Sequence, residues 1–185
     1  CIAYLALNTH PDWPLFIAAN RDEFHARPTS TAAPWKNHPE VIAGTDELAG
    51  GTWLGITRTG RFALLTNFRD LRLQGPDTPV SRGELVKDFL IGNQPAAEYA
   101  QTVSQKGRQY QGFNLIVGEG TQAAYVGNQT ANPQDIELLV PGRYVLSNHL
   151  LDTDWPKTER LRELLGHFPI EHRERSINRV FELLK

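Results

Sequence analysis

Residues 1–23 of the sequence read CIAYLALNTHPDWPLFIAANRDE, and their pattern is the main indication of the fold. The apolar runs Ile2–Leu7 and Leu15–Ala19 flank a segment rich in turn-forming residues, which predicts two strands joined as a hairpin. Because the strands of a hairpin are antiparallel, the end of the second strand lies beside the start of the first. Cys1 and the polar run at residues 20–23 are therefore predicted to meet at one edge of a sheet.

Cys1 is the only cysteine of the chain, and the sequence contains no methionine. We expect the mature protein to begin at Cys1 after removal of an initiator methionine, with a free α-amine on the residue that carries the thiol. The residue alone leaves three interpretations open: a small apolar first residue, a lipidation site exposed by cleavage of a secretion signal, and a catalytic nucleophile. A lipidated cysteine usually precedes a polar tether, whereas Cys1 leads directly into an apolar strand. This argues against lipidation; the nucleophile is favoured over a small apolar first residue, which stays an alternative.

An N-terminal nucleophile has a chemical advantage, because its own α-amine, with an ordinary pKa of about 7.7–8.0, can act as general base near neutral pH. A nearby cation favours the thiolate, a carboxylate orients the amine, and side-chain or backbone N–H groups stabilise the oxyanion. Taken singly, such polar residues at strand ends are also typical of solvated turns and turn caps. The candidates at strand ends are Asn20, Arg21, Asp22, Glu23, Asn67 and Asn148.

The rest of the chain alternates short apolar runs with amphipathic segments, which predicts an α+β layered domain over residues 1–185. Residues 28–41 are polar and contain proline, so we expect a loop there, and Gly60 is expected to form a hairpin turn. Further strands are predicted at Trp53–Thr57, Phe62–Thr66, Phe113–Val117, Ala123–Val126, Ile136–Leu139 and Tyr144–Leu146. Helices are predicted after a capping box of Ser81 and Glu84, and over Pro95–Lys106, Pro156–Leu165 and Glu174–Leu184. Because no capping residue follows the last helix, we expect the natural sequence to continue.

The composition excludes several classes of protein. Nineteen basic and 21 acidic residues give a net charge of −2, so no nucleic-acid partner is expected. No apolar run reaches the roughly 18 residues that span a bilayer, and we expect a soluble, cytoplasmic protein without stable membrane insertion. The six histidines lack metal-ligand spacing, and we expect neither a metal nor a cofactor.

At Asn20-Arg21-Asp22-Glu23 the chain resembles the NRDE family, also called the transport-and-Golgi-organisation family, which is named for this motif. The resemblance covers essentially the whole chain, and members of the family run longer at the C-terminus. The other segments that carry it are Cys1-Ile2-Ala3, Gly50–Gly55, Thr66–Arg69, Ser81–Glu84 and Leu146–Asn148.

The layout is also similar, more remotely, to that of the choloylglycine-type cysteine hydrolases, which include bile salt hydrolases and penicillin V acylases. This resemblance implies a four-layer αββα sandwich of antiparallel sheets, the N-terminal-nucleophile hydrolase fold. In those enzymes two residues separate the second-strand arginine and aspartate, and a further arginine lies late in the chain. Here Arg21 and Asp22 are adjacent, and no obvious counterpart of the late arginine is present.

The leading hypothesis is hydrolysis of a linear, non-peptide amide of a small or lipid-like molecule. The resemblance implies that Cys1 attacks, Arg21 favours the thiolate, Asp22 orients the amine, and Asn67 with Asn148 stabilises the oxyanion. The alternative is a non-catalytic carrier of haem or lipid on the same fold, since eukaryotic relatives are linked to secretory-pathway organisation and to haem or lipid handling. A purely structural protein is a third possibility. Residues expected to contact substrate are Asn20, Glu23, Trp53, Arg69 and His149.

Overall fold

A computed structural model describes residues 1–70, 76, 80–166 and 173–184, which form ten strands, four α-helices and one short 3-10 helix. The strands are β1 Ile2–His10, β2 Trp13–Asn20, β3 Thr29–Pro34, β4 Val41–Asp46, β5 Leu54–Thr57, β6 Arg61–Asn67, β7 Phe113–Glu119, β8 Gln122–Gly127, β9 Glu137–Leu139 and β10 Gly142–Leu146. The helices are α1 Gly83–Ile91, α2 Ala96–Lys106, α3 Pro156–Gly166 and α4 Arg173–Leu183, and the 3-10 helix is Gly107–Gln109.

The small sheet has the strand order β10-β1-β2, and all of its pairs are antiparallel. Ile2 lies opposite Asn20, so the predicted first hairpin is confirmed and its two polar ends meet. On the other side of β1, Ala3 lies opposite Leu146. The start of β1 is therefore flanked by the end of β2 and by the end of β10.

The large sheet contains β3 to β9 in sequence order, again with antiparallel pairing throughout. The β5–β6 hairpin turns at Gly60, whose φ of 87° lies in the region that favours glycine, as the sequence predicts. The β6 and β7 strands are buried along almost their whole length. This explains why their sequences are nearly continuous apolar runs, since layers cover both faces of the sheet.

Three apolar cores separate four layers. Odd-numbered residues of β1, such as Leu5 and Leu7, face the large sheet and pack near Phe62 and Leu64. Tyr4 and Ala6 face the opposite way, onto α3 and α4. A third core lies between the large sheet and the pair α1 and α2. Each fully buried large apolar side chain contributes about 1.5–3 kcal/mol. The predicted αββα architecture is confirmed.

Two local predictions are wrong. Residues 28–41 are not entirely loop, because Thr29–Pro34 pairs with β4 as the edge strand β3. All six residues of β3 are exposed, so the strand lacks the apolar alternation by which buried strands are recognised. The capping box is also absent: Arg82 stands at the N-cap of α1 in helical conformation, without a side-chain cap. The apolar stripe predicted for this helix is nevertheless buried, at Leu85, Val86, Phe89 and Leu90.

The second helix and the strands after it follow the predicted order, with ends that differ by a few residues. In α4, Val180 is buried, whereas Ile177 and Phe181 of the predicted apolar stripe are exposed. His167 and His172 lie outside the described residues. Among the helices in the described ranges, none combines the length and the apolar character that a membrane span requires.

Candidate functional site

The N-terminal amine of Cys1 lies between two acceptors. It donates a short hydrogen bond to the carboxylate of Asp22, with which it also forms an ion pair. It donates a second, longer bond of 3.4 Å to Oδ1 of Asn148. Both acceptors come from strand ends: Asp22 follows β2 and Asn148 follows β10. The strand pairing in the small sheet thus brings together three residues that the sequence indicated.

The thiol and the carbonyl of Cys1 also accept hydrogen bonds. The backbone N–H of Asp22 donates to Sγ at 3.5 Å, and the hydroxyl of Ser147 donates to the Cys1 carbonyl oxygen at 2.7 Å. Arg21 and Asp22 follow the end of β2, and Arg21 donates to Thr29 and Asp46. Asp22 is the one that contacts the α-amine.

Burial lowers the pKa of the Cys1 α-amine from its ordinary value of 8.0. The hydrogen bond and charge of Asp22 oppose this shift, while the positive charges of Lys157 and Arg69 add to it. The hydrogen bond from the N-terminus in turn lowers the pKa of the Asp22 carboxyl. The site therefore combines an ionised carboxylate with an amine that loses its proton more readily than a free N-terminus.

Asn148 connects this centre to the neighbouring chain segments. Its Oδ1 also accepts a bond of 2.9 Å from Nζ of Lys157, and its Nδ2 donates to the backbone oxygen of Asn67 at 3.0 Å. Asn148 thus presents an acceptor to the α-amine. Asn67, which ends β6, lines the pocket beside Cys1.

A pocket of about 290 Å³ opens at Cys1. Charged side chains form much of its wall: Arg21, Asp22, Glu23, Arg27, Asp46 and Arg82. Trp53, Asn67 and Gln111 also line it. A Cβ on Gly51 would lie 2.6 Å from the carbonyl carbon of Gly83, so only glycine allows this close contact between the loop before β5 and the start of α1.

Most of these charges are paired with one another. Arg27 donates to Asp46 at 2.7 Å, and that carboxylate also accepts a bond of 3.4 Å from Arg21. Glu23 lies 3.6 Å from Arg21 and 3.8 Å from Arg27. The guanidinium of Arg21 stacks over Trp53 at 4.3 Å and donates to Thr29. Arg21 therefore forms part of the pocket wall, and its described bonds go to Thr29 and to acidic residues.

The residues predicted to contact substrate divide into two groups. Glu23 and Trp53 line the Cys1 pocket, and Arg69 lines a neighbouring one. Asn20 donates to the backbone of Leu184, next to α4. His149 bonds to Thr153 at 3.0 Å, and its ring lies between aromatic neighbours. The structure places these last two side chains in structural contacts.

Several residues of the site were missed by reasoning from the sequence. Arg27 and Asp46 pair across the pocket, Ser147 holds the Cys1 carbonyl, and Lys157 reaches Asn148 from the start of α3. Arg82 belongs to a segment that carried the family resemblance, but nothing in that segment marked it as a pocket residue. The positions of these side chains depend on how loops and helices pack, which strand patterns do not reveal.

Solved structures share this fold. The chain superposes on the Caenorhabditis elegans ortholog of N-acylethanolamine-hydrolyzing acid amidase with a TM-score of 0.67 and 13% identity, covering 100% of this chain and 86% of that one. Penicillin V acylase from Agrobacterium tumefaciens gives a TM-score of 0.58 and 11% identity, with 100% and 71% covered. At such identities the likeness shows the fold alone, which is that of the N-terminal-nucleophile hydrolases.

Curated proteins with higher sequence identity to this chain include two mammalian homologs. The mouse Transport and Golgi organization 2 homolog is 41% identical over 169 residues, which cover 85% of this chain and 60% of that protein. The human homolog is 40% identical, with the same coverage. The chain thus spans about 60% of the length of these curated relatives. The family model described as Transport and Golgi organisation 2 matches residues 1–185, so the chain belongs to this family, as its motifs indicated.

Proposed function

We propose that the chain is an N-terminal cysteine amidohydrolase that cleaves a linear, non-peptide amide. The observation that carries this proposal is the placement of the Cys1 α-amine between Asp22 and Asn148, directly beside a polar pocket. A cysteine that merely starts a strand has no need for two acceptors on its amine and a donor on its carbonyl. A nucleophile that uses its own amine as base needs that amine held in one orientation.

The α-amine is the general base. Because its pKa is lowered, a larger fraction is unprotonated near neutral pH than in a free N-terminus. The thiol proton passes to this amine, and Sγ attacks the amide carbonyl carbon. The C–N bond then breaks as the ammonium returns the proton to the leaving amine, which leaves a thioester on Cys1. Water hydrolyses the thioester to a carboxylic acid and restores the thiol.

The neighbouring residues orient the base, stabilise the oxyanion and form the pocket wall. Asp22 and Asn148 orient the amine, and Lys157 holds Asn148 through the same oxygen that faces Cys1. Asn67 lines the pocket beside the thiol, where its side-chain amide is suited to donate to the oxyanion. Arg21 and Trp53 form the wall of the pocket against which the substrate rests.

The polar lining of the Cys1 pocket favours a hydrolase over a carrier of haem or lipid. A carrier of haem or lipid needs a broad apolar groove, whereas charged and amide side chains surround Cys1. The two solved proteins of similar fold are an amidase ortholog and an acylase, which agrees with the amide chemistry proposed for Cys1. The family name refers to transport and Golgi organisation, and an enzyme acting on a small amide is compatible with that role.

The test compares the wild-type chain with Cys1→Ser and Cys1→Ala, after mass spectrometry has confirmed Cys1 as the first residue. A panel of linear amides and an electrophilic amide probe are supplied to each. We expect turnover and rapid labelling of Cys1 in the wild type, and loss of both in Cys1→Ala. Labelling no faster than that of free cysteine, together with no turnover above background, would count against the proposal. Saturable binding of haem or an acyl lipid under those conditions would support the carrier instead.

A further inference from the structure

A second pocket adjoins the Cys1 pocket. It measures about 820 Å³ and lies between residues 68–70 after β6, the end of α2 with the 3-10 helix, and the turn that follows β8. The two pockets share two lining residues, Arg82 and Gln111. A substrate with its amide at Cys1 can therefore extend past Arg82 into this second space.

The described lining of the second pocket carries more positive than negative charge. Among its described lining residues, Arg69, Arg82 and Arg108 are cationic and Asp70 is acidic. Much of the remaining wall consists of amide side chains, including Gln111 and Asn128. Such a lining suits a polar, negatively charged group better than an acyl chain, because desolvated amides and guanidinium groups require hydrogen-bond partners.

Arg82 stands at the junction of the two pockets. One of its terminal nitrogens, Nη1, donates to the backbone oxygen of Gly112 at 2.9 Å. Within the described parts of the chain, Arg82 forms no ion pair, whereas the other two arginines of the Cys1 pocket are paired with Asp46 and Glu23. A guanidinium carries five N–H donors in a planar fork that fits an oxyanion.

Burial lowers the pKa of Arg82, and the charge of Glu23 partly compensates this shift. The side chain nevertheless stays protonated at neutral pH, since the ordinary pKa of arginine lies far above it. A partly buried cation that forms no ion pair within the described residues carries a desolvation cost, and an anionic ligand offsets that cost.

From these observations we propose that Arg82, with Arg69 and Arg108, binds an oxyanion of the substrate. The substrate class is then a linear amide that carries a carboxylate, sulfonate or phosphate group at some distance from the amide bond. This inference rests on the proposed function, because the amide position is defined by Cys1. The paired charges around Cys1 position the reacting group, and Arg82, which forms no ion pair with a described residue, selects the anionic tail.

The test uses two chloroacetamide probes of equal length, one ending in a carboxylate and the other in the corresponding neutral methyl ester. We expect the carboxylate probe to label Cys1 about ten-fold or more faster, the advantage typical of a hydrogen bond to a charged group. Arg82→Gln should abolish this preference, and Arg82→Lys should restore part of it. Arg58→Gln, an exposed arginine outside both pockets, is the matched control and should leave the preference unchanged.

Equal labelling by the two probes, or a carboxylate preference that survives in Arg82→Gln, would overturn the inference. If neither probe labels Cys1 faster than free cysteine, the proposed function fails, and binding of the unreactive acetamide analogues by calorimetry decides the anion site alone. In that case tighter binding of the carboxylate analogue supports the site, and equal binding contradicts it. Should Arg82→Gln not fold, Arg108→Gln replaces it, because Arg108 is exposed; a reduced preference is then expected.

Discussion

At the scale of single residues, the chemistry proposed for Cys1 depends on the charges that face its amine. Asp22 accepts from the amine, while Lys157 and Arg69 place positive charge near it. The two kinds of neighbour shift the pKa in opposite directions, and burial is the largest influence. The balance leaves the amine easier to deprotonate than an ordinary N-terminus, which is what a general base at neutral pH requires.

Replacement of Lys157 by methionine tests this balance. Removing a positive charge makes protonation of the amine easier, so the pKa of the Cys1 α-amine should rise. The amine must be unprotonated to accept the thiol proton, and the acid limb of the pH–rate profile for Cys1 labelling should therefore move to higher pH. The exposed Lys36, which does not line the Cys1 pocket, supplies the control variant Lys36→Met, whose profile should match the wild type. If the acid limb of Lys157→Met stays where it is in the wild type, or moves to lower pH, Lys157 does not lower the pKa of the Cys1 α-amine.

The proximity of Cys1 and the polar run that contains Asp22 could be predicted from the sequence, because the two strands of the first hairpin are antiparallel. Asn148 is a candidate through the family resemblance, since the pairing of β10 with β1 joins residues distant in sequence. The contributions of Lys157 and Arg82 could not be predicted. Both residues lie near the start of a helix, and their reach into the site depends on how that helix packs against the sheets. Long charged side chains at helix starts are common, so their sequence context carries no signal of a site.

At the scale of secondary-structure elements, a buried hydrogen-bonded network connects the two sheets next to Cys1. Tyr125 on β8 donates to Asn114 on β7 at 2.7 Å, and the Asn114 amide donates to Thr66 at 3.2 Å and to the His149 carbonyl at 2.8 Å. Thr66 on β6 donates to the carbonyl of Ser147 at 2.6 Å. Because Ser147 also holds the Cys1 carbonyl, the network positions the segment after β10 against the nucleophile.

Replacement of Asn114 by leucine, a side chain of similar shape, should break this network. Asn114 is fully buried, so the Tyr125 hydroxyl and the His149 carbonyl would each lose a hydrogen bond in the interior, at a cost of about 1–3 kcal/mol in the free energy of unfolding. Cys1 labelling should slow as well, because Ser147 is less firmly placed. Denaturant melts and labelling rates measure the two effects. Gln122→Leu, at an exposed position of β8, should change stability by no more than about 0.5 kcal/mol. An Asn114→Leu variant as stable as Gln122→Leu would contradict this account of the network.

Elements that are buried could be predicted well, and exposed ones could not. The β6 and β7 strands are recognisable in the sequence as apolar runs, because layers cover both of their faces. The exposed edge strand β3 carries no such pattern, and its proline is tolerated because an edge strand has unpaired backbone positions. The missing cap on α1 has a related cause: the start of this helix packs against Gly51 and Thr52, so tertiary contacts replace the local capping signal.

At the scale of the whole molecule, the four layers bring residues distant in sequence to one edge of the sandwich. Cys1 opens the small sheet, Asn67 ends a strand of the large sheet, and Asn148 follows β10. The fold alone does not establish catalysis, since one fold can carry many functions. The function proposed here therefore depends on whether the α-amine of Cys1 acts as a base.

The direct measurement compares the chain that begins at Cys1 with a chain that carries a Gly-Ser extension before Cys1. The extension keeps the thiol but converts the amine into an amide, which cannot accept a proton. We expect labelling of Cys1 by the amide probe to fall by about 10²-fold or more, the contribution typical of general-base catalysis. Equal melting temperatures and equal reaction with a small disulfide reagent would establish that fold and thiol access are intact. If the extended chain then reacts with the amide probe as fast as the chain with a free Cys1 amine, the α-amine is not the general base.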